Sequence, residues 1–310
     1  MIPGGCRKDR WARLVKASSA AVVLLILVFP ADEVSGAARS PRDKGEADPR
    51  TFVPTGPLES KHIFKNYVIN TYREEGGGQG SLEVLRNGRR IYARRSREES
   101  GQFLVGELHE TNTPKERVSL GKDITGRGVP NMVISEWTGG AHCCYFVYAF
   151  EIGKRFRRLA TLDAGDGPLD FEDLDRDGIL EFLMRDWTFA YWKTCFACSP
   201  APRVILRFRS AAYRMAPNLM RRPPPTPAEL ATRAKELWES GKWKEELPSP
   251  DVWSVMLDLI YTGNARQAWE FIEMAWRPGV PGKEDFLKDF QVQLAKSRFW
   301  PDIKAMNRGR

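Results

Sequence analysis

The sequence has little of what most catalytic sites are built from. It carries three histidines in 310 residues: His62, His109 and His142. It has no Gly-x-Ser-x-Gly elbow, no His-Glu-x-x-His pair and no glycine-rich phosphate loop. The defining residues of nucleophile-elbow hydrolases, zincin proteases and P-loop enzymes are therefore missing. Long hydrophobic runs are missing too. The apolar stretch at residues 17–29 is 13 residues long and stops at Pro30, whereas a membrane-spanning helix takes about 20. Five basic residues (Arg7, Lys8, Arg10, Arg13 and Lys16) precede it, and the small residues Ser35-Gly-Ala-Ala38 follow it. That order reads as a secretory signal over residues 1–36. No cysteine follows directly, which argues against a lipid anchor, and no membrane span remains once the signal is removed. The expectation is an exported protein, periplasmic or secreted. Cysteine is sparse as well. Cys6 leaves with the signal, and Cys143, Cys144, Cys195 and Cys198 remain. An even count in an exported chain predicts disulfides.

The chain is basic, with a formal charge of +8, falling to +6 without residues 1–36. Such a balance suits acidic surfaces but is also ordinary for a soluble protein. Residues 37–61 mix Pro41, Pro49, Pro54 and Pro57 with charges and read as a disordered linker. From residue 62 short β-rich runs take over, such as Tyr67-Val-Ile-Asn-Thr-Tyr72 and Phe103-Leu-Val105, with Asn87-Gly88 as a hairpin turn. An internal repeat of 50 residues follows. Asp123-Ile-Thr matches Asp173-Leu-Asp, Met132-Val-Ile134 matches Phe182-Leu-Met184, and Glu136-Trp-Thr138 matches Asp186-Trp-Thr188. Three blade-like units can be marked, 62–118, 119–168 and 169–217, where a closed propeller takes about four or more. Arg222-Pro-Pro-Pro-Thr226 divides these from a helical region. Thr226-Pro-Ala-Glu229 is a capping box, Ser249-Pro250 a second helix start, and apolar spacing marks two more helices near 265–276 and 286–294. The fold class expected is multidomain β plus α. Antiparallel, propeller-like and incompletely closed β units over 62–220 come first, and a small helical domain over 226–308 follows.

The densest chemistry lies in Asp173-Leu-Asp-Arg-Asp-Gly-Ile-Leu-Glu181. Asp173, Asp175 and Asp177 offer carboxylates, Ile179 its carbonyl, and Glu181 closes the set. A hard cation such as calcium takes about six to eight oxygens at short range. An EF-hand would place a bidentate Glu at loop position 12, where Met184 stands, and a helix where a strand is read. The pattern instead resembles the FG-GAP or VCBS repeat, the calcium loop of integrin-like β-propellers. The resemblance covers roughly residues 120–215. It implies that Asp173, Asp175, Asp177, Ile179 and Glu181 ligate a structural calcium ion. The earlier copy keeps Asp123 and Thr125, but Asn131 replaces the closing acid and Arg127 sits where an aspartate is expected. A guanidinium has no acceptor, so this loop is expected to bind metal poorly or not at all, with Arg127 bonding Asp123 as an internal cation.

If Cys143-Cys144 lies in a strand, the two side chains face apart. Two cross-links to Cys195 and Cys198 would then satisfy all four. Zinc held by His142 with a Cys-x-x-Cys pair is a sharper reading but not the favoured one. A redox role for Cys195-Phe-Ala-Cys198 is a further option. His142 could serve as a general base, or simply as a hydrogen-bonded residue beside a turn. The basic runs Arg89–Arg97 and Lys154–Arg158 could line a polyanion groove or form an ordinary wet strand face; no specific nucleic-acid motif accompanies them. The spacing of Gly263, Ala268, Ile272 and Ala275 partly resembles a tetratricopeptide helix, without that family's period. Two functions remain open: a non-catalytic, calcium-stabilised module binding a protein or envelope polymer, and a secreted hydrolase built from separated carboxylates or around His142.

Overall fold

A computed structural model describes residues 44–106, 118–140, 144–167, 169–240 and 248–308. The signal expected at residues 1–36, together with His109, His142 and Cys143, lies outside the described residues.

Twelve strands are described, arranged as three four-stranded antiparallel sheets. The first contains β1 (Leu58–Phe64), β2 (Tyr67–Tyr72), β3 (Ser81–Arg86) and β4 (Arg89–Arg95). The second contains β5 (Gln102–Val105), β6 (Asn131–Trp137), β7 (Tyr145–Ile152) and β8 (Phe156–Gly165). The third contains β9 (Asp170–Glu172), β10 (Glu181–Arg185), β11 (Arg203–Arg209) and β12 (Ala212–Met215). In each sheet, chain neighbours are sheet neighbours. Tight two-residue turns set the register. Asn87 and Gly88, at φ 52° and 76°, join Arg86 to Arg89. Ser210 and Ala211 take φ 48° and 65° between Arg209 and Ala212. Positive φ at both central residues is the mirror-type turn that matches strand twist.

Alternation along the strands decides how the sheets stack. Met132 and Ile134 of β6, with Tyr148 and Phe150 of β7, join Ile69, Val84 and Tyr92 of the first sheet in one buried cluster. Val133, Val147 and Ala149 point the other way and join Phe171, Phe182 and Val204 of the third sheet. The centre of the middle sheet is therefore buried on both faces, and every residue of β6 before Trp137 is buried. Between the first two sheets lies a dry ionic cluster. Arg94 and Glu136 are both fully buried, 3.3 Å apart. The Tyr148 hydroxyl and the Arg97 N–H also donate to Glu136. The Arg94 guanidinium lies 4.2 Å over the Tyr148 ring. Arg90 meanwhile donates to Glu83 and to the carbonyls of Pro49 and Phe52. Part of the basic run on β4 is therefore core rather than a uniformly wet face.

These arginines also correct the expected linker. Residues 44–57 are fastened to the first sheet. Ala47 N–H bonds Ala93 O at 3.0 Å, Arg94 donates to Lys44 O at 2.7 Å, and Phe52 is buried under Arg90 and Arg95. From residue 58 the chain is already strand β1.

The helices are α1 (Pro217–Met220), α2 (Pro227–Glu239), α3 (Pro250–Tyr261), α4 (Ala265–Ala275), α5 (Lys283–Leu294) and α6 (Trp300–Met306). The Thr226–Glu229 capping box closes the start of α2 in both directions. Trp253, Leu257, Phe271 and Phe290 bury the helices' inner faces in the same cluster as the third sheet. Sheets and helices thus share one core rather than standing as separate domains. A buried carboxylate ties them: Asp186, just after β10, accepts from the hydroxyls of Tyr261 at 2.6 Å and Ser297. Among the described residues, no helix is long and apolar enough to cross a membrane.

Candidate metal centre

The loop from Asp173 to Glu181 links β9 to β10 and is shaped by its own carboxylates. Asp173 accepts from the N–H groups of Asp177 (3.0 Å) and Gly178 (2.9 Å). Asp177 accepts from Ile179 N–H at 3.0 Å, and Glu181 from Leu174 N–H at 2.9 Å. Arg176 and Gly178 take left-handed φ of 61° and 86°, which wraps the chain inward. One ligand oxygen each from Asp173, Asp175 and Asp177 falls within 4.8 Å of the others. The structure therefore brings together three of the predicted ligands, with Glu181 beneath them. Glu181 is fully buried, and its Oε1 has no hydrogen-bond partner.

The nearest charge to that Oε1 comes from β11. The Arg207 guanidinium lies 3.3 Å from Glu181 Oε1 and 2.5 Å from Asp175 Oδ2, and it also contacts Asp177. Burial and the charges of Asp175 and Asp177 push the Glu181 carboxyl above its ordinary value, against Leu174 N–H and Arg207. The Asp177 carboxyl is held low, first by Ile179 N–H and then by Arg207. Three carboxylates, Asp175, Asp177 and Glu181, thus converge on one guanidinium, with Asp173 beside them. The four carboxylates of the loop are hard oxygen donors, and one buried oxygen has no hydrogen-bond partner, so the set fits a hard divalent cation. For Ile179, the other predicted ligand, the evident contacts are its N–H bond and its side chain against Gly126.

The earlier loop makes matching hydrogen bonds but closes on itself. Asp123 accepts from Thr125 N–H (2.9 Å) and Gly128 N–H (2.6 Å), and Asn131 from Ile124 N–H (2.9 Å), as Glu181 does from Leu174. The buried Thr125 hydroxyl also donates to Asp123. Arg127 does not bond Asp123 as expected. It reaches Thr125 and Glu151 and lies 4.8 Å over the Phe208 ring. The internal cation exists, but it serves the second loop and comes from Arg207. Sequence reading missed Arg207 because it lies 30 residues beyond Asp177; its position opposite β10 in a hairpin partner was the available signal. The loops touch through Leu180 N–H to Ile124 O at 3.3 Å.

The cysteines depart from the expected pairing. Cys144 is disulfide-bonded, while Cys195 and Cys198 are free and exposed. No cross-link therefore joins the second sheet to the 195–198 segment. Zinc ligation through His142 falls outside the described residues. His62 sits half-buried on β1 beside Ser60, 3.2 Å away.

No protein-family model matches the chain, and no solved structure does. A curated relative from Synechocystis sp., named "Probable thylakoid lumen protein", is 35% identical over 79 residues. The match takes in 24% of this chain, and the chain spans 23% of the relative's length.

Proposed function

We propose that this chain is an exported, non-catalytic β-module stabilised by calcium at the 173–181 loop. Its three sheets are read as propeller-type blades of the FG-GAP/VCBS kind, and its ligand as a protein or an envelope polymer. The observation that carries the metal reading is the buried Glu181 Oε1, which has no hydrogen-bond partner and meets only the Arg207 charge at 3.3 Å, beneath three clustered aspartates. One guanidinium leaves most of that negative charge unbalanced, and a divalent ion offsets more of it. Arg207 then acts as the stand-in cation of the ion-free form and withdraws when calcium arrives. The shared hydrogen-bond scheme of the two loops supports their reading as repeat copies. The relative's name, which places that protein in a lumen, supports export of this one. Buried acids elsewhere support binding over hydrolysis: Glu136, Asp186 and Glu83 are each saturated by structural donors.

The test is calcium titration of chelator-stripped full-length protein, followed by calorimetry and melting. At a hundredfold excess over Kd, one site adds about 2.7 kcal/mol, or about 4–5 °C in Tm for a chain of this size. Asp175→Asn should abolish the gain, and Arg207→Met should tighten binding. Identical melting in calcium and EDTA, for wild type and Arg207→Met alike, would end the proposal.

A further inference from the structure

The segment between β10 and β11 carries two thiols that the calcium reading does not use. Cys195 caps, and Cys198 ends, a single 3-10 turn, Phe196–Cys198. Cys198 N–H bonds Cys195 O at 3.2 Å, and the Ser199 hydroxyl braces the same carbonyl at 2.9 Å. The two sulfurs lie 3.0 Å apart, both exposed. A disulfide is about 2.05 Å long, so the backbone already holds the pair about 1 Å from bonding.

The support beneath this turn is rigid. Phe189 is fully buried against Phe290, and Trp192 packs edge-on against Trp253 at 5.4 Å. Phe196, between the cysteines, stacks on Trp187 at 5.3 Å with an interplanar angle of 13°. The turn is thus fixed from below and open from above. A cross-link over two intervening residues removes little chain entropy compared with one over fifty, so stabilisation is a poor reason for this pair.

The two thiols are also unlike. The Cys195 sulfur faces the Cys198 thiol and the N–H groups of Cys198 and Ala197, which favour its thiolate. Cys198 is pushed the other way, by Cys195 and by the Asp251 carboxylate. The thiolate is the nucleophile in exchange chemistry. Tyr191, 62% exposed and 5.5 Å from Phe196, adds an apolar ledge beside the sulfurs.

We propose that Cys195 and Cys198 form a thiol–disulfide exchange site acting on a disulfide in an exposed peptide segment of another protein. The Cys195 thiolate attacks one sulfur of that disulfide. A mixed disulfide forms, and the second substrate sulfur leaves as a thiolate, which takes up a proton. Cys198 then loses its proton, attacks the Cys195 sulfur and releases the first substrate sulfur as a thiolate. Two electrons pass from the dithiol to the substrate disulfide, leaving Cys195–Cys198 oxidised. A protein dithiol runs the same steps backwards.

The test uses the full-length protein and a synthetic peptide carrying one internal disulfide, with products mapped by mass spectrometry. Wild type should reduce one equivalent of peptide and end with Cys195 joined to Cys198. Cys198→Ser should stop at a peptide adduct on Cys195. Cys195→Ser should form its adduct at least about tenfold more slowly, as expected of a less ionised thiol. Unchanged circular dichroism checks that each variant folds. Equal trapping rates in the two variants would overturn the proposal. So would a pair that stays oxidised in excess dithiothreitol while the protein remains folded, or stoichiometric zinc on the pair in purified protein.

Discussion

Replacing Arg94 by methionine tests the ionic cluster between the first two sheets. The guanidinium is fully buried, as is its partner Glu136. Removing one member of a buried pair leaves an uncompensated charge and costs about 3–5 kcal/mol. Here some compensation survives: Tyr148 and the Arg97 N–H still donate to Glu136, and the Arg97 guanidinium stands 4.0 Å away. The lower end, about 3 kcal/mol, is therefore expected, which is a Tm loss of about 5 °C for a chain of this size. The double variant Arg94→Met with Glu136→Gln should recover part of the loss, because the glutamine carries no charge; its oxygen keeps the Arg97 N–H, and its amide can donate to the Tyr148 oxygen on the other side. A second readout is local. Arg94 holds Lys44 O, and Ala47 N–H bonds Ala93 O, so hydrogen exchange at Ala47 should accelerate in the single variant. Chemical denaturation supplies the free energies. A single-variant cost below about 1 kcal/mol, the scale of an exposed pair, would refute the reasoning, as would a double variant no better than the single.

Two further outcomes follow from acids and their donors. Burial raises the Asp123 carboxyl, but the N–H groups of Thr125 and Gly128 outweigh it and hold it below its ordinary 3.8. A lowered folded value gives stability that is present above the unfolded value and lost as pH falls through the folded one. Asp123→Asn should therefore melt below wild type at neutral pH, with the gap closing below pH 3.8; a gap independent of pH would contradict this. Tyr261→Phe removes one of three hydroxyl donors to buried Asp186. It should cost about 1.5–3 kcal/mol, as for a hydrogen bond to a charged group, read as a lower urea midpoint at unchanged slope. A change under about 0.5 kcal/mol would mean that Asp186 reaches water.

Much of the architecture was readable residue by residue. Tyr67–Tyr72 alternates cleanly and is β2 end to end. The Thr226 capping box and Ser249-Pro250 open α2 and α3 where expected. Strand β1 escaped because its side chains are all exposed or half-buried, so nothing forced a period of two. The Ser210-Ala211 turn escaped because neither residue advertises positive φ as glycine or asparagine would. Helix α6 escaped as well, although Pro301 stands in its first turn, where proline is tolerated. In the candidate site the acids announced themselves by spacing. Arg207 did not, because contacts across a hairpin depend on register rather than local order. The cysteine pairing failed for a related reason: which sulfurs meet is decided by sheet stacking, and an even count carries no connectivity.

The order of the sheets bears on how the chain acquires its structure. Each is made from four consecutive strands, and each leans on the sheet made just before or just after it. Wiring of that kind keeps the search for partners short, which speeds folding. A chain emerging end-first can thus complete its opening sheet, with Lys44 to Phe52 laced along it, long before the helices exist. The layer that waits is the middle one, whose second face stays bare until Phe171, Phe182 and Val204 arrive.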